Sequence, residues 1–164
     1  MPNWCSVNIT LEHNDPEMLA RVVKAAEANT GILKEFIPVP EILQNEVASE
    51  EECLASCGYR NWYDFCTNEW GTKWDVGAEG YEVEFDPAGM TLSFDSAWAP
   101  PVAAYEKLME MGFSIKAGYY EPGMCYAGIW EDGDDDLYEY GEMSAAEVAA
   151  QLPTDLDDMF GISE

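Results

Sequence analysis

The sequence predicts an α+β fold on three observations. Residues 4–11 alternate strictly between apolar and polar, two further alternating runs flank a turn at Asp86–Gly89, and two other segments carry the 3.6-residue apolar period of helices. In the first run Cys5, Val7, Ile9 and Leu11 share one face, and Trp4, Ser6, Asn8 and Thr10 share the other, as in a strand buried on one side. Asp15-Pro16 then starts a helix, Asp15 as N-cap and Pro16 at the first helical position. Met18, Leu19, Val22, Val23 and Ala26 form its apolar stripe, and Gly31 lies just beyond its end.

Residues 32–80 are less regular and read as an insertion. The prolines of Phe36-Ile37-Pro38-Val39-Pro40 rule out a central strand, and short helices are expected near 49–57 and 60–68, with weak capping. Regularity returns with Tyr81, Val83 and Phe85, a turn at Asp86-Pro87-Ala88-Gly89, and Met90, Leu92 and Phe94. Pro100-Pro101 opens a second helix carrying Val102, Tyr105, Leu108 and Met109, closed by Gly112. Phe113, Ile115, Ala117 and Tyr119 form another strand, and Glu121-Pro122-Gly123 turns it into a return strand over Met124–Trp130. The order β-α-(insertion)-β-β-α-β, with one extra β, is that of a ferredoxin-like split β-α-β: an antiparallel sheet with both helices on one face. It spans residues 1–130, followed by an acidic C-terminal extension over 131–164.

In that extension Ser144 and Glu147 form a capping box before a short helix with Val148 and Leu152, halted by Pro153. Thr154 is expected to cap one more turn carrying Leu156, Met159 and Phe160. The segment is expected either to dock on its own sheet or to fold into a partner's groove.

Thirty-three Asp and Glu against seven Lys and Arg give 164 residues a net charge of −26. Hydrophobic residues at 48% are too many for a disordered chain, so the charge must sit on a folded surface. Such a surface repels nucleic acid and anionic membranes as direct partners, both being polyanions. Met1-Pro2-Asn3-Trp4-Cys5 shows no signal-peptide pattern, and five scattered cysteines suit a reducing cytoplasm. Cys53 and Cys57 share a helix face with Cys66 nearby, but the spacing misses the zinc pattern, and buried free thiols are expected. The only histidine, His13, reads as a surface loop residue. Neither cofactor nor metal is expected, and the oligomeric state is left open.

Tryptophans punctuate the chain. Asn3-Trp4-Cys5 starts the first strand, Trp70-Gly71-Thr72-Lys73-Trp74-Asp75 closes the insertion, and Ser96-Ala97-Trp98-Ala99-Pro100-Pro101 opens the second helix. Tyr120-Glu121-Pro122-Gly123 precedes Ala127-Gly128-Ile129-Trp130. In this order the blocks resemble the YubB-type ferredoxin-like family of plasmid, phage and genomic-island proteins, over roughly residues 3–130. Glu69 stands where that family usually has Asn before the Trp-Gly-Thr-Lys-Trp-Asp block. The resemblance implies a fold and a mobile-element setting, with no established activity.

Two functional readings follow. In the first, a non-catalytic protein captures a basic host protein, such as a nucleic-acid-binding defence or DNA-processing factor, by imitating a phosphate backbone. Its charge donors are Glu131, Asp132, Asp134, Asp135, Asp136, Glu139 and Glu142. The same run fails as a calcium loop, with Leu137 and Met143 where Gly and Glu are required. In the second, a small hydrolase or ligand-binding module uses Trp70, Lys73, Trp74, Asp75, Trp98 and Glu121, tryptophans beside carboxylates being suited to a sugar cleft. The bland alternative for that set is anchoring of the insertion, with Lys73 and Asp75 as a structural ion pair.

Overall fold

The computed structural model describes residues 3–28, 31–44, 47–76, 82–86 and 89–164. The alternation at 4–11 becomes β1 (Trp4–Glu12), whose Cys5, Val7, Ile9 and Leu11 are buried. Asp15 caps α1 (Pro16–Glu27), its carboxylate accepting the Glu17 N–H at 3.0 Å. Chain order then gives β2 (Glu82–Asp86), β3 (Gly89–Ala97), α5 (Val102–Glu110), β4 (Ser114–Glu121) and β5 (Tyr126–Glu131). The insertion holds α2 (Leu33–Phe36), a 3-10 turn (Glu41–Gln44), α3 (Glu50–Cys57) and α4 (Trp62–Glu69). Tyr81 and the Pro87-Ala88 turn fall outside the described residues, as do the side chains of Val83 and Phe85.

The molecule is α+β. All strand pairings are antiparallel, and the sheet order is β2-β3-β1-β4-β5-β6, with β6 spanning Asp134–Glu139. In its first four strands β3 lies between β1 and β2, the placement a split β-α-β requires. One apolar cluster joins the inward residues of β1, β3 and β4 to Val22 and Ala26 of α1 and to Ala104, Tyr105 and Leu108 of α5. Tyr105 packs on Trp130 of β5 with ring centroids 5.2 Å apart.

The extension forms a hairpin and then docks on its own sheet, one of its two expected outcomes. Glu131 pairs with Asp134 across a two-residue Asp132-Gly133 turn, both residues at positive φ (46° and 104°), so the acidic run is a hairpin. Asp-Gly supplies that mirror-image turn, and its Asp132 carboxylate accepts the Ile115 N–H at 2.8 Å. Both helices of the split β-α-β unit, α1 and α5, pack on one face as expected. Helices α6 (Ala145–Gln151) and α7 (Thr154–Phe160) cover the opposite face of the sheet from α1 and α5. Ala127, Val148, Leu152 and Leu156 form a second apolar cluster there, flanked by Tyr120, Ile129, Tyr138 and Phe160. Ser144 and Glu147 make the capping box of α6, whereas Thr154 is the first residue of α7 and Pro153 precedes it without a side-chain cap.

Capping inside the insertion is stronger than expected. Ser49 and Glu52 form a full capping box for α3, and Asn61 caps α4 through the Asp64 N–H. Cys53 and Cys66 are buried while Cys57 is half-buried, and burial pushes the Cys66 thiol up to about 11. His13 does structural work: Nδ1 accepts the Asp15 N–H, Nε2 lies 2.9 Å from the Met111 carbonyl, and the ring meets Phe113 edge-on.

Candidate functional site

The seven expected charge donors all lie on the β5–β6 hairpin and the loop after it, and all seven are exposed. None of them is in an ion pair with a described residue. Asp132 is tied into its turn, and Asp135 accepts the Tyr119 hydroxyl at 2.5 Å, so both are fixed in direction. Asp134 and Asp136 share one face of an edge strand, where alternate residues stand roughly 6.8 Å apart. Their charge also keeps that edge from pairing with another chain. Among the described residues no group of His, Cys, Asp and Glu is placed to hold a metal ion.

The tryptophan block builds a different feature. Trp70 ends α4, is buried, and donates its indole N–H to the Ile37 carbonyl at 3.0 Å. Gly71 turns the chain at φ 86°, where a Cβ would meet the backbone of Val102 and Ala103. Thr72 then hydrogen-bonds the Ala97 carbonyl at 2.8 Å. Lys73 makes no ion pair with Asp75, contrary to expectation. Its ammonium lies 4.2 Å from the centroid of Trp74 and 4.1 Å from that of Trp98. Trp4 leans on Trp74 at 5.9 Å, so three tryptophans, each about two-fifths exposed, cluster around one lysine.

Beside this cluster a groove of about 770 Å³ opens between Trp74 and the insertion. Trp70 and Cys66 form its floor, Pro38, Val39 and Leu43 one wall, and the exposed Trp62 a rim, with Lys34 and Lys73 also lining it. Asp75 lies at its edge, but its carboxylate is engaged by the backbone. Oδ1 accepts the N–H groups of Leu33 and Val76, each at 2.7 Å, and Oδ2 accepts that of Lys34 at 2.9 Å. Gly31 is a glycine because a Cβ there would fall 2.2 Å from Asp75 Oδ2. Glu121 does not line the groove. It is buried and accepts the N–H groups of Gly123 and Met124, closing the turn into β5. Asp75 and Glu121, the two carboxylates of the expected set, are therefore not brought to one groove.

Burial raises the Asp75 carboxyl above the ordinary carboxylate range, against the opposing pull of its three N–H donors. A carboxyl raised in the folded state contributes stability below its unfolded pKa of about 3.9 and loses it as pH rises through the folded value. The stability of the native protein relative to Asp75→Asn should therefore fall as pH rises from about 3 through that window. Urea titrations at stepped pH read the difference; a rise across the same window would contradict the assignment.

Glu69 accepts hydrogen bonds from Lys107 and the Tyr59 hydroxyl. Lys107 and Tyr59 hold its carboxyl below the usual range, and the triad fastens the insertion to α5. Sequence reading missed this triad, and also Lys34 and Trp62 of the groove.

No family model matches the chain, and no curated protein does. A solved structure that is similar is protein api92 from Yersinia pseudotuberculosis, described under the family model DUF1281. The two share 24% identity at a TM-score of 0.45, over 66% of this chain. The chain spans 39% of the length of that protein. No helix of the described residues is long and apolar enough to cross a membrane.

Proposed function

We propose that this is a non-catalytic acidic binding protein, which captures a basic, nucleic-acid-binding host protein by presenting a fixed array of carboxylates. The observation that carries the reading is the ordered acidic hairpin: six exposed acids held by strand pairing and by the layer behind it, with Glu142 in the loop that follows, none of them in an ion pair with a described residue. A disordered acidic tail would lose entropy on binding, whereas acids already fixed in place keep more of their Coulomb attraction. The spacing of Asp134 and Asp136, roughly 6.8 Å, is about twice the 3.4 Å rise per charge along one DNA strand. Resemblance of the tryptophan blocks to the YubB-type family supports a mobile-element setting, in which such a mimic would act in the cytoplasm on defence or DNA-processing proteins.

Pull-down from a bacterial lysate with the native protein and with the double variant Asp134→Asn/Asp136→Asn tests it. A basic DNA-binding protein should be recovered at about 50 mM salt, lost by about 200 mM, and displaced by duplex DNA. The double variant should hold it about tenfold more weakly, a difference of roughly 1.4 kcal/mol. Recovery of no basic protein, or capture that duplex DNA does not compete away, would sink the reading.

A further inference from the structure

We infer that the groove beside the tryptophan cluster is a binding site for a small planar aromatic anion, a ring system bearing a carboxylate or a phosphate. Three observations converge there. Its volume, about 770 Å³, falls within the range of small-molecule sites, and its described lining is mostly apolar with a few polar groups. Trp62 and Trp74, 45% and 41% exposed, both line it; the Trp74 ring carries the Lys73 ammonium, whereas no cation lies over the Trp62 ring among the described residues. The Trp62 indole is a stacking surface for a planar ring, beside an ammonium held on Trp74.

The lining's two lysines and two acids balance formally, so the ligand's sign is selected by which of these charges are left unpaired. Of seven basic residues in a chain of net charge −26, two, Lys34 and Lys73, line this groove. Neither makes an ion pair with a described residue. Both acids of the lining are already engaged: Arg21 holds Glu35 at 2.9 Å, and Asp75 is bound by three backbone N–H groups. A cationic ligand would face two ammonium groups with no carboxylate at liberty. An anion would meet Lys73, whose ammonium is held in place by two indoles that contribute no acceptor oxygen, so that its hydrogens remain available. Repulsion from acids more than about 8 Å away is largely screened at physiological ionic strength, whereas contact with the lysines is not.

Calorimetry and tryptophan quenching with the full chain test the site. The probes are adenosine monophosphate for the phosphate source and indole-3-acetate for the carboxylate source, with adenosine and indole as the neutral counterparts. One or both anions should bind, at least tenfold more tightly than its neutral counterpart. Lys73→Gln should lose at least tenfold in affinity, and so should Trp62→Ala, whose half-exposed side chain limits the loss in thermal midpoint to a few degrees. Lys24→Gln, outside the groove, should leave binding as it was. Absence of binding by both anions at millimolar concentration overturns the site, as do equal binding of neutral and anionic probes or unchanged affinity in both groove variants.

Discussion

Trp70→Ala should lower stability by roughly 3–5 kcal/mol, out of the 5–15 kcal/mol typical of a domain. Trp74→Ala, four residues on, should cost less than about 1 kcal/mol. Both residues belong to one short sequence block, yet they meet opposite surroundings. Trp70 is 4% exposed and joins three parts of the chain. Its indole N–H holds Ile37 of the insertion, its ring meets Phe65 of α4 edge-on at 6.3 Å, and its carbonyl accepts the Ala104 N–H at the start of α5. Truncation removes the largest apolar surface under the insertion and leaves the Ile37 carbonyl without its donor. Trp74 by contrast is 41% exposed and rests on Lys73 and Trp4. In thermal melts the first variant should lose roughly 6–20 °C, and the second a few degrees at most. Comparable losses would mean that the insertion is not fastened through Trp70.

What made the fold legible was periodicity, and where it failed to inform, the deciding interactions were not periodic. The alternation of Cys5, Val7, Ile9 and Leu11 and of Met90, Leu92 and Phe94 survives intact as the buried face of β1 and β3. The strand within the acidic run is not legible in the sequence, because its charge hides its geometry. Asp132-Gly133 is a strong hairpin signal, but the four exposed residues after it carry no apolar alternation that would announce β6. Docking of α7 was written more faintly still, in Gly118. A Cβ there would lie 2.5 Å from the sulfur of Met159, so a glycine in mid-strand marks where the helix comes close. The candidate site divides along the same line. Trp70, Lys73 and Trp74 are legible as a motif, whereas Lys34 and Trp62 reach the groove only through the tertiary path of the insertion. Asp75 shows the converse: a residue that reads as chemistry in sequence serves as a cap in structure, because three backbone N–H groups without helical partners converge on it.

Leu156→Asp should open the C-terminal layer while the main domain stays folded. Leu156 is fully buried in the small cluster with Val148, Leu152 and Ala127, which is separate from the cluster that holds β1, β3, α1 and α5. Removing a buried leucine costs roughly 2–5 kcal/mol, and a carboxylate in its place adds the cost of burying an unpaired charge. A cluster of four buried residues cannot absorb that loss, so the transition should be local. Protease should then cut within residues 140–164, and amide protection there should vanish while that of β1 and β4 persists. Global unfolding instead would show that the two clusters form one cooperative unit. The same variant separates charge from geometry in the proposed capture. It makes the protein more negative by one charge while taking away the layer that backs Tyr138 and Tyr140 beside the acidic hairpin. If net charge alone drew the partner, capture would hold or strengthen. If the fixed placement of the carboxylates is what the basic groove reads, capture should weaken even though the attraction at long range has grown.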